Sequence, residues 1–202
     1  MKKFIAIVLV ICMALTITAC GAKVPTSEEV KGSNDGTVYK NDYTGLKFTV
    51  NGNWYFLSDE QIAEVFGTTQ QMLEDAGNDV QDTLAFYDMM AMDEITGNNV
   101  NVMVQVVGNT GDIDFEEFLS TSEAEILEMG ASIGAIYTFS DHTTVKLSGV
   151  EFHRVTAHGE MPDYDIAYDQ GCYIALVDGA FVNVTVTSYD GTPISDIEAM
   201  FN

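Results

Sequence analysis

The chain has 202 residues, 47% hydrophobic and 19% charged, with 31 acids against 8 lysines and arginines and a formal charge of −23. A surface of that sign repels polyanions, which excludes nucleic acid and anionic lipid headgroups as partners. Cys12, Cys20 and Cys172 are the only cysteines, too few and too scattered for a zinc ribbon or a disulfide framework.

Lys2 and Lys3 precede an uncharged apolar run from Phe4 to Leu15. That is the n-region and h-region of a secretory signal, and it is shorter than the roughly 20 residues of a membrane span. It ends at Ile17-Thr18-Ala19-Cys20-Gly21, which resembles the bacterial lipobox. The resemblance implies a diacylglycerol on the thiol of Cys20, removal of residues 1–19, and a chain held at the outer face of the membrane by acyl groups such as palmitate. Two buried chains make a durable anchor, because each methylene contributes about 0.8 kcal/mol and one chain alone binds only reversibly. Loss of Lys2 and Lys3 leaves six cations against 31 acids, a formal −25.

Residues 20–36 are small and polar, with Pro25, Gly32 and Gly36, and read as a flexible tether. A coil of that length reaches roughly 20 Å. One domain is expected over 37–202, large enough to bury a core without disulfides. Leu46, Phe48 and Val50 alternate with polar residues as in a half-buried strand. Ser58-Asp-Glu-Gln61 predicts a capping box, and Leu57 and Ile62 a hydrophobic staple, for a helix that stops at Gly67. A second short helix is predicted from Thr68 to Gly77. Strands are predicted at Leu84–Asp93 and Asn101–Val107, joined at Glu94–Asn99. The strongest helix carries Phe115, Phe118, Leu119, Ile126 and Met129 on one face, with Gly130 as its stop. Further strands are predicted at Ile136–Phe139, Thr144–Leu147, Val150–Ala157, Asp165–Val177 and Phe181–Ser188, with Asp178-Gly179 as a tight hairpin turn. Pro193 is placed at N1 of a last helix that buries Ile194, Ile197, Met200 and Phe201. Hairpin-linked strands mixed with helices predict an α+β domain: a largely antiparallel sheet with packed helices in an α/β/α sandwich.

The segment Tyr39-Lys-Asn41-Asp-Tyr43-Thr-Gly45-Leu46-Lys-Phe48-Thr-Val50-x-x-x-Trp54 resembles the opening of PsbP/Mog1-like domains, where a strand and a tryptophan lead into a helix. Asn51-Gly52-Asn53 stands where those domains usually carry a proline. The long central helix and the final hairpin plus helix fit the same architecture. The superfamily includes photosystem accessory subunits, nuclear transport factors and bacterial lipoproteins. The resemblance therefore implies a fold, and it transfers no site residue.

Several residue sets invite a chemical reading. Gly130-Ala-Ser132-Ile-Gly134 matches G-x-S-x-G, but a helix precedes Ser132 and a strand follows, the reverse of a nucleophile elbow. Asp112, Asp114, Glu116 and Glu123 partly match a calcium loop, with Glu117 where glycine must stand, and read better as an acidic helix N-terminus. Glu160, Asp163, Asp165 and Asp169 form an acidic stretch that reads as a solvated loop. His153 and His158 are five apart and point to opposite faces of one strand, and His142 stands alone, so no shared zinc is expected. Met89, Met90, Met92 and Met103 read as core filler, with Met90 and Met92 on one face and Met89 on the other. Cys172 reads as a small buried hydrophobe. Tyr43, Trp54, Tyr55, Tyr164, Tyr168 and Tyr189 are candidates to line a sugar or peptide groove.

Neither a catalytic set, a metal site nor a cofactor is expected. The sequence predicts a membrane-anchored extracytoplasmic lipoprotein that binds or supports an envelope component, whether protein, glycan or a cationic partner. The alternatives are an envelope hydrolase using Ser132 and a calcium-dependent surface module.

Overall fold

A computed structural model describes residues 26–65, 67, 85–106, 114–140 and 142–202. Eight strands form one antiparallel sheet: β4 (Trp54–Phe56), β5 (Ala85–Asp93), β6 (Asn99–Val106), β7 (Ile136–Phe139), β8 (Thr143–Leu147), β9 (Val150–Met161), β10 (Ile166–Val177) and β11 (Ala180–Ser188). Their order is β4-β5-β6-β11-β10-β9-β7, with β8 also paired to β9. The predicted helix after Gly67, together with Leu84 and Val107, lies outside the described residues.

The central strands β6 and β11 are buried at every position. Alternation sorts their side chains onto two covered faces. Val100, Val102, Val104, Val182, Val184 and Val186 face one layer. Phe181 faces the other, which is covered by α3 (Phe115–Ser132) through Leu119 and Ile126. The first layer holds α4 (Ile194–Glu198) and a small sheet of β1 (Ser33–Asn34), β2 (Val38–Lys40) and β3 (Lys47–Thr49). Phe48 is fully buried there, its ring 4.8 Å from Phe201 and 6.2 Å from Trp54. Burying such a ring contributes about 1.5–3 kcal/mol. The fold is thus the expected α+β class.

Local signals act where they were predicted. Ser58 N–H donates to Gln61 Oε1 at 2.9 Å and Gln61 N–H returns a bond to Ser58 Oγ at 3.3 Å, ahead of α2, whose described helical run is 59–65. Leu57 and Ile62 pack together against Met90 and Met103, as a staple requires. Asp178 and Gly179 both have positive φ, 45° and 85°, the geometry of a two-residue hairpin loop.

Several boundaries move; β9, expected to end at Ala157, runs on to Met161. The ordered chain does not begin at Thr37. Residues Ser27–Val30 form a short helix, α1, capped by a Thr26–Glu29 box, and Val30 is wholly buried in the core. Residues 26–36, expected in the tether, thus include packed structure, with burial of Val30 favouring its order. The long helix passes through Gly130 to Ser132. Gly130 serves close packing, since a Cβ there would lie 2.8 Å from the Tyr137 ring. The turn that follows uses Gly134, at φ 77°. Pro193 is the N-cap of α4, extended at ψ 134°, and does not occupy N1.

Candidate functional site

The layer that holds α4 leaves one end of the large sheet open. There an open groove of about 370 Å³ lies between the β7–β9–β10 surface and the 191–194 segment that leads into α4. Its floor carries Thr138, Ser140, Thr156, His158 and Asp169, and Thr192, Pro193 and Ile194 form a wall. Strand register explains the floor. Thr138 pairs with His158, and His158 pairs with Asp169, so all three point to one face. The groove lies within the size range of small-ligand sites.

Both His158 nitrogens face carboxylates. Nδ1 lies 2.8 Å from Asp169 Oδ1 and Nε2 lies 3.5 Å from Glu160 Oε1. The bond to Asp169 is the chief reason that the imidazole titrates above its ordinary value, against an opposing effect of burial. Thr156 Oγ1 donates to Ser140 Oγ at 2.7 Å, and the Thr156 N–H reaches the same oxygen at 3.1 Å. The wall is fixed from behind. Asp190 accepts from Asn98 Nδ2 at 2.8 Å and from Thr192 N–H at 3.0 Å, which hold its carboxyl down at about 2. The groove is thus pre-formed, polar on its floor and partly apolar on its wall.

Glu160 and Asp169, expected in a solvated loop, are strand residues paired with His158, while Asp163 sits in a single 3-10 turn, Pro162–Tyr164, and Asp165 follows it in the left-handed region. Among the described residues no group of three or more metal-ligating side chains could hold an ion. The acids of the calcium-like motif have separate tasks. Asp114 caps α3 by accepting from Glu116 and Glu117 N–H, and Asp112 lies outside the described residues. Glu116 Oε2 meets His142 Nδ1 at 2.9 Å and Glu123 Oε1 meets His142 Nε2 at 2.6 Å. The β7 pair Phe139↔Ala157 and the β8 pair Thr143↔Arg154 differ in register by one residue. That offset reverses the alternation, and His142 faces α3. Burial pulls the His142 pKa down, but the two glutamate bonds outweigh it and the net shift is upward.

Ser132 closes α3, its hydroxyl donating to the Met129 carbonyl at 2.6 Å. His153 stacks on Phe115 at 4.2 Å, on the face opposite His158. Met89 lies in one core cluster and Met90, Met92 and Met103 in another, the division that the alternation predicted. Cys172 is buried beside Ile174 and its thiol is pushed up to about 12, by burial first and by the charge of Glu123 second. The six aromatics do not share a groove. Trp54 packs on Phe48, Tyr168 and Tyr189 join Tyr137 beneath α3, and Tyr55 and Tyr164 are exposed. Tyr43 donates to the Asp178 carbonyl at 2.5 Å. The groove hydroxyls escaped the sequence reading, although Thr156-x-His158-x-Glu160 alternates polar groups along one face. Cys20 precedes the described residues.

No family model matches the chain, and comparison with curated proteins returns no match. The fold is similar to the solution structure of cyanobacterial PsbP (CyanoP) from Synechocystis sp. PCC 6803, with a TM-score of 0.50 and 8% identity over 91% of this chain and 92% of that one. At that identity the likeness defines a PsbP-like fold and nothing finer.

Proposed function

We propose that this protein is an extracytoplasmic lipoprotein, acylated at Cys20, whose PsbP-like domain is an accessory or binding module that presents the His158 groove to a component of the cell envelope. The groove carries the reading: a pre-formed concavity of about 370 Å³, backed by the fixed 190–192 turn. Binding suits it better than hydrolysis. Ser132, the candidate nucleophile, gives its hydroxyl to the Met129 carbonyl at the end of α3 and does not line the groove. The apolar run before Cys20 and the small residues flanking it support the anchor. Among the described residues no helix is long and apolar enough to cross a membrane.

Two measurements test the proposal. Metabolic labelling with a fatty acid should mark the wild type and not Cys20→Ala; label on the variant would refute acylation at that thiol. Capture from envelope extract should enrich a component on wild type that His158→Ala combined with Thr156→Val fails to retain. Equal capture by both proteins would remove the groove from the function.

A further inference from the structure

Resting on the groove as the binding site, we infer that its ligand is a neutral saccharide, held by hydroxyl-to-carboxylate and hydroxyl-to-threonine hydrogen bonds. Charge removes the first alternative, because a chain with a formal −23 repels anionic ligands. The remaining surface offers what a sugar ring requires. Asp169 commits one oxygen to His158 and keeps further lone pairs for ligand hydroxyl donors. Thr138 shares the face of His158 by register. The Thr156 hydroxyl gives its proton to Ser140, and its oxygen is left to accept from a ligand. These groups follow neighbouring strands, about 4.8 Å apart in a sheet, a spacing that matches hydroxyls across a pyranose ring. The wall supplies the complement. Pro193 and Ile194 present C–H surface to the apolar face of the ring, beside the polar floor.

A cationic ligand is the main competitor and is less well served. Its counter-charge in the groove would be Asp169, which the imidazole already engages. The cation would have to displace His158, whereas a saccharide leaves that pair intact and bonds to its outer lone pairs.

The mature lipidated protein in lipid nanodiscs, titrated with maltotriose, with N,N′,N″-triacetylchitotriose and with N-acetyl-lysine amide, decides the matter by NMR of the His158 ring and the Thr138 and Thr156 methyl groups. Saturable shifts at all three positions with at least one trisaccharide are expected, with a Kd on the order of 1 mM. Thr156→Val and Asp169→Asn should each weaken that binding by roughly tenfold, the effect of losing one good polar contact. Three results overturn the inference. Shifts from the lysine amide alone would make the ligand a cation, with the groove still the binding site. No response to any probe, with envelope capture still lost in the double variant, would also spare the groove and reject the saccharide. Saccharide binding that both variants leave unchanged would place the sugar elsewhere.

Discussion

Tyr39 donates a 2.5 Å hydrogen bond to Asp88, 49 residues along the chain and in a different sheet. Asp88 stands where the β5–β6 register slips, between the pairs Tyr87↔Met103 and Met89↔Val102. The bulge frees one side chain from the alternation and turns it toward the amino-terminal segment. There Asp88 also accepts from Asn41 Nδ2 at 2.6 Å and from the Gly32 N–H at 2.8 Å. Burial, and then the negative charge of Asp88, drive the Tyr39 pKa far upward, so its hydroxyl stays a donor. A bond to a charged acceptor contributes about 1.5–3 kcal/mol. Tyr39→Phe should lower stability by about that amount, as read from urea denaturation. Asp88→Ala should cost more, because it leaves several donors unmatched. Equal stability of Tyr39→Phe and wild type would show that the bond contributes nothing net.

The His142 clasp should make stability depend on pH. Its pKa is raised in the folded state, so its contribution is fully present below the unfolded value and is lost as pH rises through the folded one. The stability gap between wild type and His142→Ala should therefore be widest in mild acid and close toward alkaline pH. Glu123→Gln should shrink it more than Glu116→Gln. The Glu123 side chain is 23% exposed against 74% for Glu116, and exposed pairs contribute only about 0–1 kcal/mol. Melting temperatures from pH 5 to 9 check this. A gap that widens with pH would contradict the assignment of an imidazolium.

Both clasps mark where sequence reading stops. The capping box at Ser58, the staple and the Asp178-Gly179 hairpin rest on neighbours in sequence, so their pattern is visible there. The bulge at Asp88 and the register difference between β7 and β8 along β9 are offsets between strands, and no residue type announces them. Without those offsets His142 reads as a lone histidine and Asp88 as an ordinary strand residue. Thr26-x-x-Glu29 did carry a readable capping signal, masked by the polar residues on either side. The groove was legible only in fragments, since its floor is assembled from three strands by register. Gly130 illustrates a different difficulty: a glycine near a helix end signals a stop, yet here it makes room for Tyr137, which is distant in structure type and not in pattern.

A second glycine should prove costly to fill. An added Cβ at Gly159 would lie 2.5 Å from the ring of Tyr168, its cross-strand partner. Tyr168 cannot swing away freely, because its hydroxyl lies 2.6 Å from that of Tyr137 and its ring leans on Tyr189. Overpacking of this kind costs typically 1–3 kcal/mol. Gly159→Ala should be destabilised by about that much in urea, and the added variant Tyr168→Leu should recover part of the loss by opening the space. Additive losses in the double variant would locate the effect in the strand backbone and not in the ring contact.

The amino-terminal boundary gives the last prediction. A chain starting at Thr26 retains α1, with Val30 in the core and Gly32 bonded to Asp88. One starting at Thr37 exposes the surface that Val30 covers and leaves the Val30 carbonyl's partner, Asn41 Nδ2, with one acceptor fewer. Loss of a buried valine and of the bonds at Gly32 and Asn41, counted apart from the β1–β2 pairing and the Asp35 bonds, amounts to about 2–5 kcal/mol before the entropy of the released segment is credited. The shorter chain should therefore melt lower, and its amide of Asn41 should exchange faster with solvent. Matching melting curves would mean that residues 26–36 add nothing net to stability, and that the domain holds itself together from Thr37 onward.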